Sequence, residues 1–480
     1  TRCNGVSWAR DVYKRQHQIR MFKSSECSSQ LLIAPTGSGK TLAGFLPTIA
    51  DLYLNPSQKL HTLYISPLKA LASDIKRNLE TPIKELELKI SVEDRTGDPK
   101  QSIKKKQRVI PPNILLTTPE SLALLMSYPE APSIFSSLKR IIVDEIHAIT
   151  ESKRGDQLFL AISNIRKYCL DAKIIGLSAT VNDPSLIAGW LAPTNDCDII
   201  LSDPGLVPEI SILATSEPPP WAGAGGLYSI PEIITEIETH KTTLIFHNTR
   251  AQAEIFFHNL WLANSKNLPI AIHHGSLDKE QRNHVETAMV RGELRAVVCT
   301  GSLDLGIDWG SVDLVIQIGA PRQVKRLIQR IGRANHSRSG ASKGLIVPAN
   351  RLEVLECFMA LDAIYENKLD SELQTQIPLD VICQHLLLVA CAGPFMPLDI
   401  FNEIRTIEKY KNFNREDFDQ CLDFCISGGY ALKKYNQWHR LIQTSNGAVK
   451  LRDPRIANRL RMNAGTIQDS DTLKVRYKSK

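Results

Sequence analysis

The chain has 480 residues, 43% hydrophobic and 23% charged, with a net charge of +7 and ten cysteines. That length exceeds one compact core and suits about three domains, and the composition is that of a globular protein, not a disordered, collagenous or disulfide-stapled one. No apolar run reaches the length of a membrane span and no segment resembles a signal peptide, so the expectation is a cytoplasmic protein with no membrane partner.

The charge is unevenly spread. Residues 431–480 carry 12 Lys and Arg against 3 Asp, a surplus of nine, which leaves −2 for the first 430 residues. A localised basic excess fits a polyanionic partner, with a solvated face as the alternative. The cysteines form no C-x-x-C pair. Cys421 and Cys425 lie one helical turn apart and read as reduced core residues, since no second pair or His cluster joins them to make a zinc site.

In chain order, residues 1–16 (TRCNGVSWARDVYKRQ) show neither a period nor a cap and read as an atypical leader. From Gln18 a helical pattern leads to the stretch from Leu31 to Thr41 (LLIAPTGSGKT), an apolar strand that breaks into a Gly-rich turn and opens a helix. This is a phosphate loop of the form G-x-x-x-x-G-K-T, with Ala34 in place of the first Gly. The turn comprises Pro35, Thr36, Gly37, Ser38 and Gly39, whose two glycines let backbone N–H groups converge on a phosphate at a helix N-terminus. Lys40 would reach the β- and γ-phosphates and the Thr41 hydroxyl would meet Mg2+. ATP and Mg2+ are therefore the expected ligands; a Gly- and Ser-rich turn that binds nothing is the plain alternative for an isolated match.

Strands and helices then alternate. Strands are expected at Thr62–Ser66, Asn113–Thr117, Arg140–Val143 and Lys173–Leu177, and helices at Lys69–Leu79 (ending before Pro82), Glu120–Ser127 and Asp156–Tyr168. Apolar strands without alternation, spaced by helices, indicate a parallel sheet covered on both faces. A Pro- and Gly-rich stretch over Ser202–Gly226 marks an entry to a second domain. There a second series follows, with strands at Thr243–Phe246, Ile270–His273, Ala296–Cys299, Asp313–Ile318 and Gly344–Val347. Beyond Asp370 three helices (Pro378–Ala392, Leu398–Tyr410, Arg415–Ile426) precede a hairpin turn at Ser445–Gly447, the element count of a winged helix. The expected fold is thus α/β, with two tandem RecA-like lobes (17–205 and 206–368), a winged-helix domain (369–462) and the start of an incomplete β domain (463–480).

The strand Ile141-Ile142-Val143 ends in Asp144-Glu145-Ile146-His147. Carboxylates at that end of a parallel strand can meet a metal and an attacking water. Asp144 is assigned to Mg2+ and Glu145 to the water, with a buried acidic cap on the next helix as the alternative.

With these residues in place the chain resembles the superfamily 2 helicases from about Gln18 to its end. Ser178-Ala179-Thr180 resembles the motif linking ATP hydrolysis to strand separation, and His147 and Arg330 join it as coupling residues. Gln329-Arg330-Ile331-Gly332-Arg333-Ala334 resembles the arginine-finger motif, with Arg333 the finger and Gln329 helping to place the water; His336 stands where many relatives have a further Arg. The resemblance implies strand contacts at Pro67, Lys69, Thr96, Gly97, Thr118, Thr249, Arg250, His274, Gly275, Thr300 and Ser302. The pair His273-His274 reads as a phosphate contact, with a metal site as the alternative. Leu305-Gly306-Ile307-Asp308 resembles the ribose-reading segment, so Gly306 and Asp308 join the ATP site, and Gln18 is the candidate adenine reader.

Longer blocks narrow the match. Ser152-Lys153-Arg154-Gly155-Asp156, Pro220-Trp221-Ala222-Gly223, Leu303 through Gly310, and Val347-Pro348-Ala349-Asn350-Arg351 together resemble the Lhr (large helicase-related) family, above all its ligase-associated DExH-box branch. The resemblance implies an ATP-dependent 3′-to-5′ DNA helicase or translocase that acts on single-stranded DNA, 3′-tailed duplexes or RNA–DNA hybrids in DNA repair. DNA ligase and nuclease partners are implied as well, and the chain would be expected to stop short of a further C-terminal domain. An RNA helicase and a non-enzymatic nucleic-acid-binding scaffold are the alternatives.

Overall fold

The computed structural model describes residues 16–24, 29–35, 38–96, 100–150, 152–179, 181, 183–192, 196–202, 207–223, 225–304, 312–334, 341–366, 368, 370 and 376–466. Two parallel sheets carry it. The first joins β1 (Ser29–Ile33), β2 (Thr62–Ile65), β3 (Val92–Arg95), β4 (Ile114–Thr117), β5 (Arg140–Val143), β6 (Lys173–Ser178) and β7 (Cys197–Leu201) in the order β3-β4-β2-β5-β6-β1-β7. The second joins β8 (Glu209–Ile212), β9 (Thr242–Phe246), β10 (Ile270–His273), β11 (Ala296–Cys299), β12 (Val312–Ile318) and β13 (Lys343–Val347) in the order β10-β11-β9-β12-β13-β8. Every pairing in both sheets is parallel. All C-terminal strand ends of a sheet therefore open on one edge, where ligand loops gather. Central strands such as β2, β4 and β5 are buried at every residue, which is why they read as unbroken apolar runs.

Three strands lay outside the sequence expectation: β3, β7 and β8. Each lies at a sheet edge and carries charge in its run (VEDR, CDIIL, EISI). Short, charged edge strands resist further pairing and lose the apolar signal that reveals a central strand. The helix expected to stop at Leu79 continues to Glu85 with Pro82 inside it. Leu71, Ile75, Leu79 and Ile83, each four residues on from the last, are all buried in the first lobe. Burying Ile83 (about 1.5–3 kcal/mol) offsets much of the roughly 3 kcal/mol cost of an interior proline.

The third unit has the helices Leu379–Ala392, Pro397–Ile404 and Arg415–Ser427, a hairpin of β14 (Leu441–Gln443) and β15 (Val449–Leu451), and a final helix Ala457–Met462. Gly447 closes the hairpin turn at φ 84°, a conformation that suits glycine. Cys421 and Cys425 are buried thiols, and all cysteines among the described residues are free. The unit docks on the first lobe. Helix Leu379–Ala392 packs on helices Pro119–Met126 and Lys153–Arg166, and one apolar cluster runs from Ile134 and Leu160 through Leu386, Phe401 and Phe418 to Leu441.

Helix Lys153–Arg166 is enclosed, being buried at every position from Gly155 to Ile165. Its polar residues hold the third unit: Lys153 Nζ donates to Asp380 (3.0 Å), Lys409 Nζ donates to Asp156 (2.7 and 2.9 Å), Tyr410 donates to Asp156 (2.8 Å), and Asn164 donates to Glu403 (2.8 Å). From the other side, Arg461 donates to the carbonyls of Ser127 (2.7 Å) and Cys391 (3.2 Å). Gly155 is required by packing, because a Cβ there would lie 2.4 Å from the Ile149 carbonyl oxygen. Gly155→Ala is expected to destabilise by about 1–3 kcal/mol; a thermal melt unchanged from wild type would remove this constraint. No helix among the described residues is long and apolar enough to cross a membrane.

Candidate nucleotide and strand-contact site

The phosphate loop leaves β1 and enters helix Lys40–Leu54 through Gly39, whose φ of 80° suits a residue without a Cβ. Thr36 and Gly37 lie outside the described residues. Ser38 closes a turn on the Pro35 carbonyl (3.3 Å). Lys40 stands at the first helical position and is buried, and its Nζ has no hydrogen-bond partner among the described residues. A buried bare ammonium is costly unless an anion reaches it. Burial lowers the Lys40 amine from its ordinary value, against the pull of Glu145 and then Asp144. Thr41 follows on the same turn, partly exposed.

The carboxylates come from β5, separated from β1 by β6. Asp144 accepts from the Tyr64 hydroxyl (2.5 Å) and from the Glu145 backbone N–H (2.8 Å). Burial, then the charge on Glu145, raises Asp144. Burial also pushes Glu145 up, but Lys40, His147 and Arg333 outweigh it and hold that carboxyl below its usual value. Glu145 has φ 47°, a left-handed conformation that costs a non-glycine residue about 1–3 kcal/mol and collects at functional sites. Two adjacent buried carboxylates beside the Thr41 turn form an oxygen-rich donor set that fits a hard cation.

His147 links three segments. Gln329 Nε2, from the second lobe, donates to His147 Nε2 (2.6 Å), so the ring proton sits on Nδ1 and meets Ser178 Oγ (2.8 Å) at the end of β6. Burial pushes His147 down to about 4, leaving a neutral ring at neutral pH. Arg333 is buried and acts electrostatically on both Lys40 and Glu145, so the Gln329–Arg333 turn faces the phosphate loop across the lobes. Ala179 is buried beside Ser178; Thr180, Gly306 and Asp308 lie outside the described residues. Arg330 is not at this junction. It donates to Asp304 (2.7 and 3.3 Å) and Gln317 (2.5 Å) and covers the Phe246 ring, which makes it a strut within the second lobe.

Gln18 is buried against the loop, its Nε2 donating to the Gly39 carbonyl (3.3 Å) while its Oε1 has no partner among the described residues. His17, missed in the sequence, meets the Ser38 carbonyl (3.1 Å).

The strand-contact candidates gather at strand ends, as the parallel sheets require. Pro67 and Lys69 follow β2, Thr96 follows β3 and Thr118 follows β4, while Gly97 lies outside the described residues. Arg154 ties two of these loops, donating to the Pro67 carbonyl (2.7 Å) and to Glu120, which gives the block after the acidic segment a second task. In the second lobe Thr249 and Arg250 follow β9, His274 and Gly275 follow β10, and Thr300 and Ser302 follow β11. The hydroxyls of Thr118 and Thr249 cap their helices, accepting from Ser121 and Gln252 N–H groups. Arg250 donates to Ser276 (2.5 Å). His273 lies between Ser302 (2.9 Å) and Glu286 (3.1 Å), and His274 pairs with Glu254 (3.2 Å). No cluster among the described residues has the three His, Cys, Asp or Glu ligands of a metal site.

Two parallel α/β lobes, with a phosphate loop in one and an arginine-bearing helix end of the other facing it, define a two-lobed P-loop core. Residues 15–187 match the DEAD/DEAH box helicase family, 227–338 the helicase conserved C-terminal domain, and 362–480 the winged helix domain of large helicase-related protein. ATP-dependent helicase Lhr-Core protein 2 of Thermococcus barophilus is 36% identical over 93% of this chain and 54% of its own length. The Lhr helicase/uracil glycosylase of Escherichia coli is 34% identical over 83% of this chain and 30% of its own. The solved structure of Mycobacterium smegmatis helicase Lhr bound to ssDNA and AMP-PNP superposes with a TM-score of 0.84 at 33% identity, over 94% of this chain and 60% of that one. The chain belongs to the Lhr (large helicase-related) family of helicases. It spans about half the length of the archaeal Lhr-Core relatives it matches.

Proposed function

We propose that the chain is the motor portion of an ATP-dependent DNA helicase or translocase that moves 3′-to-5′ on single-stranded DNA. The observation that carries this reading is the buried Lys40 amine, without a hydrogen-bond partner among the described residues and set among Asp144 and Glu145 of the first lobe and Arg333 of the second. A triphosphate would supply the hydrogen-bonding anion for this amine. Lys40 then holds the β- and γ-phosphates, Gln18 reads the adenine edge with its open Oε1, and Asp308 reads the ribose. Thr41 and Asp144 would hold Mg2+, which when bound neutralises phosphate charge. Glu145, kept ionised by its three cationic or polar neighbours, accepts a hydrogen bond from the water that attacks the γ-phosphorus, releasing phosphate and ADP. Arg333 stabilises the charge on the transferring group, and Gln329 positions the water while reporting through His147 to Ser178.

Closure of the cleft on ATP and its reopening after hydrolysis would shift the strand-end loops of one lobe against those of the other, so the strand moves in steps. RNA–DNA hybrids and 3′-tailed duplexes in DNA repair are the proposed substrates, with DNA ligase and nuclease as partners through the ligase-associated branch.

The test is ATP turnover without nucleic acid, with single-stranded DNA and with single-stranded RNA, for wild type and Glu145→Gln. Strong stimulation by DNA that vanishes in the variant is the expected result. Stimulation by RNA alone would make it an RNA helicase, and no hydrolysis under any condition would leave a binding scaffold. Unwinding of a 3′-tailed but not a 5′-tailed duplex checks polarity.

A further inference from the structure

Helix Ile146–Thr150, which carries His147, follows the acidic segment directly, and helix Lys153–Arg166 begins three residues after it ends. The bend between them has no slack. The Ile149 carbonyl accepts from the Ser152 N–H (3.2 Å) and the Ser152 hydroxyl (2.8 Å), and the Gly155 N–H donates to the Ser152 carbonyl (2.8 Å). The space that a Cβ would take at Gly155 is filled by the same Ile149 carbonyl, so the two helices touch backbone to backbone. Arg154 leaves the first turn of the second helix and forks. Its Nη2 donates to the Pro67 carbonyl (2.7 Å) in the loop after β2, and its Nε and Nη2 both meet the Glu120 carboxylate at the start of helix Pro119–Met126, after β4. Burial pushes the Glu120 carboxyl up, but Arg154 outweighs it and holds the group below its usual value, with the Thr118 hydroxyl adding to that effect. Pro67 lies in a turn closed by Ser66, whose hydroxyl donates to the Leu68 carbonyl (2.8 Å) and whose N–H donates to the Thr117 carbonyl (3.0 Å). A single guanidinium therefore holds both loops that carry Pro67, Lys69 and Thr118, three of the strand-contact candidates.

We propose that Arg154 is the positioning residue through which the nucleotide site and the strand-contact loops of the first lobe sense one another. The proposal rests on the motor reading given above and adds a route that the cleft does not supply. The His147–Ser178 contact runs toward β6 and the second lobe, whereas Arg154 runs the other way, toward the loops after β2 and β4. Helix Lys153–Arg166 cannot yield independently, because it is buried from Gly155 to Ile165 and pinned to the winged-helix unit by Lys153. A packed interior of this kind transmits a shift instead of absorbing it. When a nucleotide draws Glu145 and His147 toward it, the displacement reaches Arg154 through the Ile149–Gly155 contact, and the planar fork passes it to both loops at once. A strand that reorders these loops bears on the nucleotide site along the same path and by the same free energy.

The test is made in the full chain, by measuring affinity for an oligothymidylate through fluorescence anisotropy, without nucleotide and with a saturating non-hydrolysable ATP analogue and Mg2+. In wild type the two affinities are expected to differ by about 5- to 150-fold, and in Arg154→Gln their ratio falls to within about twofold of one. Affinity of that variant for the analogue without a strand stays near wild type. Arg154→Lys keeps the charge but has one ammonium for two partners, and recovers the ratio only in part. Glu120→Ala approaches the same contact from its other end and lowers the ratio too, which keeps the test decisive should Arg154→Gln fail to fold. The control is Arg140→Gln, which breaks the ion pair with Asp51 (2.6 Å) at the opposite end of β5 from Asp144 and costs stability without touching the loops; thermal melts rank the variants. A wild-type ratio in either folded variant, or an equal loss in Arg140→Gln, overturns the proposal while the helicase reading stands. A wild type that binds both ligands with a ratio of one overturns the proposal as well, and strand-stimulated ATP turnover still decides the motor reading. A wild type that binds neither strand nor analogue overturns both.

Discussion

Arg333→Ala is expected to lower strand-stimulated ATP turnover by about 10³- to 10⁵-fold while changing nucleotide affinity only a few-fold. The split follows from where the charges lie. Lys40, Thr41, Asp144 and Glu145 all belong to the first lobe and, on the proposed reading, would supply most of the contacts to the ground-state nucleotide. Arg333 comes from the second lobe, is buried, and acts electrostatically on Lys40 and Glu145. A positive group brought to the γ-phosphate from across the cleft contributes most when charge is redistributed in the transition state. Steady-state turnover and binding of a fluorescent ATP analogue separate the two effects. Arg333→Lys keeps the charge but loses the planar fork, and should recover part of the rate. Turnover of Arg333→Ala within tenfold of wild type would assign the transition-state charge to another residue.

The parts of this site that could be read from sequence are those whose meaning is local. The phosphate loop announces itself through Gly39 and Lys40 because strand, turn and helix start lie within eleven residues. The acidic segment does so because Asp144 and Glu145 end an unbroken apolar strand. Their meeting has no local signal, since β6 separates the two strands and comes later in the chain; it is expected only through the shared ATP and Mg2+ assigned to both segments. The same holds for Tyr64, which looks like any aromatic residue in a buried strand until β2 is paired with β5 and its hydroxyl meets Asp144. Arg330 shows the converse. It sits inside a recognisable motif, so its neighbours suggested a role at the cleft, whereas Asp304 and Gln317 draw it into the second lobe. Arg461 belongs with these cases, for it reads as part of a basic tail but is anchored on Tyr128 and two carbonyls of the joint. Placement of the winged helix on the first lobe has no local signature, because the residues that fix it are more than two hundred positions apart.

That joint carries the second large expected effect. Asp156 has no exposed surface, and its charge is met by Lys409 and the Tyr410 hydroxyl, both contributed by the winged-helix unit. Burial raises the Asp156 carboxyl above its ordinary value even with those partners, so the pair is a costly one that the surrounding apolar packing sustains. Lys409→Ala leaves the carboxylate buried without its cation and is expected to destabilise the lobe and winged-helix unit by about 3–5 kcal/mol. Because the folded state holds the Asp156 proton to higher pH than the unfolded chain does, this group's contribution is most favourable below 3.8 and declines as pH rises through its raised value. Removing Lys409 raises that value further, so the variant's deficit should be larger at neutral pH than in mild acid. The double variant Asp156→Leu/Lys409→Met removes both charges and should recover most of the loss. Urea denaturation at the two pH values reads all three outcomes. A deficit that did not shrink in acid, or that the double variant failed to relieve, would mean that Lys409 supports the joint through its aliphatic stem and not through its charge.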